Sequence, residues 1–282
     1  MFDLFIKTAH AYSKDITQTY STSFSLGIKT LSKRFHPPIY GIYGMVRIAD
    51  EIVDTFHDFD KKYLLNKFKQ DTFEAIETGI SLNPVLFSFQ KVVSDYNIPL
   101  ELIAAFFTSM EMDLYETTYE VNQYEAYIYG SAEVVGLMCL KVFTEGNNEL
   151  YEQLKAPAKS LGAAFQKINF LRDIKSDFDE RGRIYFPGID LSNFGEDAKR
   201  QIEQDVEQDF RKAYQGILQL PISSRAGVLL SYKYYLLLFK KIRRVPVSKI
   251  ASTRIRVPNF QKLSLLFTTI MRHQFATFSI GH

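Results

Sequence analysis

The chain has 282 residues, 46% of them hydrophobic and 23% charged, with 34 Lys and Arg set against 32 Asp and Glu. That is a globular mixture, long enough to bury a large core and too apolar to stay disordered. A net charge of +2 gives no reason to expect nucleic-acid binding, and a single cysteine, Cys139, excludes a disulfide framework and fits a reducing cytoplasm.

In chain order, the N-terminus lacks a basic region followed by an apolar segment, so no signal peptide is read. Apolar residues then recur at three- and four-residue spacing, and alternating runs are short. The pattern predicts helices over 8–20, 38–56, 61–79, 84–95, 99–118, 122–144, 149–154, 157–177, 195–219, 222–243 and 259–278. Breaks are expected at Pro37-Pro38, Asn83-Pro84, Gly146, between Gly182 and Pro187, and at Pro246. No linker or internal repeat divides the chain, so residues 1–282 read as one all-α domain. Cys139 lies in an apolar run and reads as a small buried hydrophobe. No run reaches about 18 uninterrupted apolar residues, the length of a membrane span; the best candidates are broken by Lys233 and Arg272. The expectation is a cytoplasmic protein, at most resting peripherally on the inner membrane surface. The cluster Lys240, Lys241, Arg243 and Arg244 reads as the solvated end of a helix, with a contact to anionic phosphate or lipid headgroups as the alternative.

Two predicted helices carry narrow polar stripes. In the first, Tyr43, Arg47, Asp50 and Asp54 follow steps of four, three and four, which aligns them on one face. In the second, Gln166, Asn169, Asp173 and Asp177 do the same. Both helices are otherwise mostly apolar, unlike surface helices with a broad polar side. Buried carboxylates are costly unless paired or metal-bound. If the stripes face one another, four carboxylates converge, and magnesium, which keeps water and phosphate among its oxygen ligands, could hold a diphosphate between them. Arg47 and Arg172 beside the acids could pair with them or donate to phosphate oxygens. A structural Arg–Asp network inside a helix bundle is the plainer alternative. Spacing alone decides little: 16 aspartates placed at random give about one D-x-x-x-D pair, and the chain has four, including Asp54/Asp58 and Asp205/Asp209. The last lies in a polar run and reads as a solvated face.

Several ordered motifs resemble the squalene/phytoene synthase family, over about residues 20–262. They are YSTSF at 20–24, IYGMVRIADEIVD at 42–54, YIYGSAEVVG at 127–136 and QKINFLRDIKSDFDERGRIYFP at 166–187. The resemblance implies a class I isoprenoid synthase helical bundle with a central cavity, and magnesium (manganese as the alternative ion) on Asp50, Asp54, Asp173 and Asp177. It implies that Tyr43, Arg47, Gln166, Asn169 and Arg172 line the diphosphate region and that Tyr20, Ser21, Thr22 and Ser23 close over it. Tyr129 is matched to the family's central catalytic tyrosine and Tyr235 to a late tyrosine that contacts substrate. Arg256 and Lys262 are matched to late basic residues near the phosphates. Two positions depart from the pattern. Glu133 stands where many relatives have Gly, and Thr22 where some carry Lys.

The reaction so implied is a transferase reaction, the head-to-head condensation of two prenyl diphosphates through a cyclopropyl diphosphate. Water must be kept from the cations, and aromatic faces such as Phe24, Tyr43, Tyr129 and Phe165 can stabilise positive charge. The Asp-Glu-Ile-Val-Asp form of the first motif and the Gly-Arg-Ile-Tyr-Phe-Pro tail of the second lean toward geranylgeranyl diphosphate as substrate and phytoene as product, a carotenoid precursor. Squalene or dehydrosqualene formation from farnesyl diphosphate is the alternative; NADPH is expected only for squalene. A non-catalytic assembly or binding protein on the same fold is the alternative of another class, and retention of all four aspartates with Gln166 and Asn169 argues against it.

Overall fold

The computed structural model describes residues 1–189, 194–250, 252–258, 260–262, 264–267 and 269. Its helices are α1 (Phe2–Tyr20), α2 (Thr22–Lys29), α3 (His36–Asp54), α4 (Lys61–Thr78), α5 (Pro84–Tyr96), α6 (Leu100–Tyr115), α7 (Val121–Ile128), α8 (Val134–Thr144), α9 (Asn148–Arg181), α10 (Glu196–Gln219), α11 (Ile222–Arg243) and the short α12 (Val247–Ile250). A 3₁₀ turn, Lys33–Phe35, leads into α3, and a π-helical turn, Tyr129–Glu133, joins α7 to α8. Among the described residues there is no strand, only a parallel bridge between Thr118 and Ile184.

Local chemistry sets the ends. Asp60 caps α4 by accepting from the Tyr63 N–H, Asn83 caps α5 and Asn147 caps α9. Pro37 and Pro38 fill the first turn of α3, where their missing N–H groups cost nothing. Gly182, at φ 65°, ends α9 in the left-handed region that favours glycine.

Four expectations change. Helix α1 begins at Phe2 rather than near residue 8, and YSTSF opens a helix, α2, that the spacing did not indicate. Ser21 makes that helix possible: its Oγ accepts from the Phe24 N–H at 3.2 Å. The predicted break between 154 and 157 does not occur, and α9 runs 34 residues through Pro157. The ring is accommodated because α10 presents Gly216 to it, where a Cβ would lie 2.3 Å from the Pro157 Cβ. Of the predicted helix over 259–278, residues 260–262 and 264–267 are helical, and much of the rest lies outside the described residues.

Two apolar clusters form the core. One gathers Phe35, Met45, Phe89, Phe106, Phe107 and Met138 from the first two-thirds of the bundle. The other surrounds α9, α10 and α11, with Ile168, Phe170, Phe210 and Phe239. Each fully buried side chain of this size stabilises by about 1.5–3 kcal/mol. The continuous helical stretch Val121–Thr144 is long and apolar enough to cross a membrane by length and composition, but half of its most apolar window is buried in the bundle.

The π-helical turn is where the packing is tightest. A Cβ on Gly130 would meet the Ala105 carbonyl oxygen at 2.5 Å and the Ser109 Cβ at 2.7 Å, and one on Gly162 would meet the Ala132 carbonyl at 2.6 Å. Backbone, not a flexible side chain, blocks both, so a methyl group must push helices apart. Gly130→Ala is expected to lower unfolding stability by about 1–3 kcal/mol, the usual cost of overpacking, read as a lower urea midpoint at unchanged slope. An unchanged midpoint would mean that α6 can retreat.

Candidate active site

Helices α3 and α9 carry the two polar stripes, and α2, α11 and the segment after α9 complete their surroundings. Asp50, Cys139 and Tyr235 are partly buried, and burial raises the pKa of each. Burial pushes the Tyr43 hydroxyl up to about 12; Arg47 pulls the other way, and the charge of Asp50 adds to the rise. Tyr43 is stacked on Phe24 of α2 at 4.8 Å. On the opposite wall the Tyr235 ring of α11 is stacked on Phe165 at 3.9 Å, and its hydroxyl donates to Asn169 Oδ1 at 3.3 Å. Tyr43 lies near enough to Tyr235 to feel its charge, and Tyr235 hydrogen-bonds Asn169, which brings one residue of each stripe toward the same tyrosine.

The acids are not gathered into one bundle of ligands. Asp173 is clasped by Arg172, whose Nε donates to Oδ1 at 3.0 Å, and by Arg254, whose Nε lies 2.8 Å from the same oxygen. Asp54 accepts from Arg183 Nη1 at 3.1 Å. Asp177 is buried. Burial, reinforced by Asp54, pushes the Asp50 carboxyl up to about 7. Among the described residues, no three acidic, His or Cys side chains lie together as a self-sufficient metal site. The donor chemistry still fits a hard divalent cation: all oxygen, supplied from two facing helices, with a buried carboxylate at Asp50 whose charge burial disfavours. Such an ion takes its remaining ligands from water and phosphate.

Arg47 pairs with Glu51 and lies over the Tyr20 ring at 4.4 Å, while its buried Nε has no partner. An N–H left without an acceptor in a cleft suits an incoming anion. Ser21 lies close enough to the Tyr43 hydroxyl to oppose the rise in its pKa. Lys262 reaches Thr22 Oγ1 at 3.4 Å and lies 5.6 Å over the Tyr234 ring, which brings a cation beside Thr22. Ser23 follows on the first turn of α2, and Gln166 lies on α9 with Asn169 and Asp173. Arg256 is exposed and receives Lys241 on its backbone carbonyl; the arginine on Asp173 is Arg254, two residues earlier. Glu133 is held by Lys159 at 3.0 Å, and Lys159 lies 5.0 Å over Tyr129.

Tyr129 is thus turned to Lys159, and its neighbour two residues earlier occupies a denser polar site. Tyr127 donates to Asp113 Oδ2 at 2.7 Å, while Tyr119 and Tyr185 each donate to Oδ1 at 3.2 Å. Arg183 Nη2 donates to the Asp113 carbonyl at 2.7 Å, and Nη1 lies 3.4 Å from Oδ1. Burial raises the Asp113 carboxyl to about 6 and the Tyr127 hydroxyl well above its ordinary value. This cluster escaped the sequence reading. Its signal was the Arg183-Ile184-Tyr185 tail, which names two members, but nothing in the spacing links them to Asp113.

One expectation is overturned in part. Of the Asp205/Asp209 pair, Asp205 is exposed as expected, but Asp209 is buried, and the buried Lys167 of α9 pairs with both and donates to Asp209 Oδ2 at 2.7 Å. The pair anchors α10 to α9.

Removing the Asp113 carboxylate would leave Arg183 buried beside three unpaired hydroxyls. Asp113→Ala is expected to cost about 3–5 kcal/mol in urea unfolding, the penalty for removing one partner of a buried ion pair, and the double variant Asp113→Leu/Arg183→Met to cost less than the single one. A single variant as stable as the wild type would show that water replaces the carboxylate.

Comparison with known proteins agrees with this geometry. The fold matches a dehydrosqualene synthase solved in complex with ligand (TM-score 0.79, 21% identity, covering 95% of this chain and 98% of that one). It also matches the squalene synthase HpnC from Alicyclobacillus acidocaldarius (TM-score 0.73, 20% identity, 85% and 94%). In sequence the chain is 27% identical over 203 residues to 4,4'-diapophytoene synthase of Staphylococcus haemolyticus, covering 71% of this chain and 70% of that protein. It is 28% identical over 258 residues to the chloroplastic phytoene synthase 1 of Zea mays, covering 84% and 61%. Residues 17–261 match the squalene/phytoene synthase family as a whole, which takes in both polar stripes and the Asp113 cluster, and the chain belongs to that family.

Proposed function

We propose that this protein is a divalent-metal-dependent transferase that condenses two molecules of geranylgeranyl diphosphate head to head to phytoene, by way of prephytoene diphosphate. The observation that carries the reading is the pair of facing stripes, with acids at one end and stacked aromatics (Phe24 on Tyr43, Phe165 on Tyr235) on the walls between.

In this reading Asp50, Asp54, Asp173 and Asp177 hold magnesium or manganese. The ion supplies charge neutralisation for the leaving pyrophosphate. Arg47 offers its unpartnered Nε to a phosphate oxygen, and Arg172, Arg254 and Lys262 stand ready beside Asp173 and Thr22. Tyr43 and Tyr235 present ring faces to an allylic cation and exclude water that would trap it. The double bond of the second substrate attacks that cation, and loss of a proton from the attacked carbon closes the three-membered ring, giving the cyclopropyl diphosphate. A second ionisation, rearrangement and proton loss then give the triene. Tyr127 and Asp113 are held beside Arg183, which also touches Asp54, and this network supports the Asp54 end of the first stripe. No reductant is needed. Condensation of farnesyl diphosphate is the second reading, favoured by the likeness to the staphylococcal protein named 4,4'-diapophytoene synthase.

The test is incubation of purified protein with magnesium and each prenyl diphosphate, with and without NADPH, and identification of the hydrocarbon. Phytoene from geranylgeranyl diphosphate without NADPH is expected. Pyrophosphate release from neither substrate would sink the enzyme reading, and a C30 product alone would move it to farnesyl diphosphate. Asp50→Ala and Asp173→Ala are each expected to lower turnover by at least about 1000-fold, the scale of lost electrostatic stabilisation, with the helical CD spectrum unchanged. Either variant remaining fully active would remove the metal assignment.

A further inference from the structure

The charges of this chain are sharply segregated along its length. Residues 210–282 contain 13 of the 34 Lys and Arg and none of the 32 Asp and Glu. The preceding 209 residues therefore carry a formal charge of −11, and the near-neutral total conceals a strongly basic C-terminal quarter. An anion approaching the acidic part is repelled by it, and the carboxylates of the two stripes add to that repulsion at close range.

The structure sets part of the basic quarter beside the candidate site. Ile250 of α12 and Val257 are buried in the apolar cluster that holds Leu171 and Ile174, on either side of Asp173 in α9. The end of α11 joins them, since Lys241 Nζ donates to the Arg256 carbonyl at 3.4 Å. After α12 the chain turns back at once, with the Thr253 N–H donating to the Lys249 carbonyl at 2.9 Å, and the next residue, Arg254, meets Asp173. Lys262 then reaches Thr22, so both cations stand at the mouth of the cleft. Around them lie three cations of another kind. Lys240 in the last turn of α11, Arg244 at its C-cap and Lys249 in α12 are exposed, and no ion pair among the described residues neutralises them. By contrast, Arg243 is drawn to Glu203 and Glu207 of α10, and Lys175, two residues from Asp173, is paired with Asp179.

We propose that Lys240, Arg244 and Lys249 form an electrostatic entry patch, which draws the diphosphate head of a substrate toward the cleft and hands it to Arg254 and Lys262. The proposal rests on the reading of the cleft as a prenyl-diphosphate site. Unpaired charges of one sign beside a site raise the local concentration of the opposite ion and speed its arrival. Their range is the Debye length, about 10 Å at 0.1 M salt, so they act on the approach and not on the chemistry. A field is favoured over a second binding pocket because all three side chains are exposed: solvent weakens each contact, while the charges still add at a distance.

The test is stopped-flow association of a fluorescent prenyl S-thiolodiphosphate, an analogue that carries the charge of a substrate and resists ionisation, with the intact protein and magnesium in neutral detergent. For the wild type the association rate constant is expected to fall at least about 10-fold between about 20 mM and about 300 mM salt. Lys240→Gln/Arg244→Gln/Lys249→Gln is expected to lower it about 10-fold at low salt, to leave the dissociation rate within about twofold, and to converge with the wild type at high salt. Each single substitution is expected to lower it about twofold, which keeps the test open if CD spectra show the triple variant unfolded. The control Lys67→Gln/Lys91→Gln/Lys155→Gln removes the same charge from α4, α5 and the N-terminal part of α9, where Lys155 lies about 27 Å along the helix from Asp173. It is expected to stay within about twofold of the wild type. Condensation by the entry-patch variant is expected to keep its kcat and lose about 10-fold in kcat/KM at low salt. A wild-type association rate in the triple variant, an equal loss in the control, or a deficit that persists at high salt would each overturn the proposal. Because the analogue is not turned over, an inactive protein with the expected salt dependence removes the condensing reading and leaves the entry patch intact. Normal condensation with no difference in association removes the entry patch alone.

Discussion

A carboxylate buried as deeply as Asp113 survives only because its surroundings are organised around it. Three tyrosine hydroxyls and the Arg183 guanidinium converge on one side chain that is 7% exposed. Asp113 lies on α6 and its partners on the loop after it, α7 and the segment that leaves α9, so one charge fixes the relative positions of four pieces of chain. The bridge between Thr118 and Ile184, with the Ile184 N–H donating to the Thr117 carbonyl at 2.9 Å, holds the same segment against the same loop. Arg183 then extends the network to Asp54 on α3. The two stripes are therefore connected through a structural ion pair before any ligand is considered. Such a pair adds little net stability compared with apolar packing, but its geometry is exacting, and that geometry aligns α3 with the end of α9.

The same arrangement explains why the acids are apart. Carboxylates crowded together without a cation would raise one another's pKa and resist ionising. Here Asp54 and Asp173 are each given an arginine, while burial, reinforced by the charge of Asp54, pushes the Asp50 carboxyl up to about 7. The arginines on Asp173 have geometry suited to phosphate as well. In the proposed function a diphosphate bringing its own metal would take over both sets of partners, and the clasped form would be the resting arrangement.

How far the sequence showed this depended on whether the signal was local. The helices with strong periodicity, α3, α4, α5, α10 and α11, were legible because amphipathic spacing, proline and Asx caps all act within a few residues. The stripes were legible for the same reason. What escaped depends on a distant partner. Pro157 reads as a break until Gly216, on another helix, makes room for it. Asp205/Asp209 reads as solvated until Lys167 is seen between them. The α2 segment is short and holds a glycine, so its propensity is weak, and packing against α11 decides it. The Asp113 cluster joins positions up to 72 residues apart, and no spacing rule connects them.

Charge segregation belongs to a third kind of signal, present in the sequence but invisible to a net count. A total of +2 describes neither part of this chain. The acidic part supplies the carboxylates of the cleft and the Glu and Asp partners that hold α9 and α10 together. The basic part supplies Arg254 and Lys262 at the mouth and the exposed margin beyond it. Had the two signs been interspersed, arginines near the mouth would have found local acids, as Arg243 finds Glu203 and Glu207. Without acids after Asp209, the cations at this margin have only the cleft's own carboxylates, the solvent or an outside anion to answer them. The segregation thus pairs Arg254 with an acid of the other part of the chain, Asp173, rather than with a neighbour in sequence.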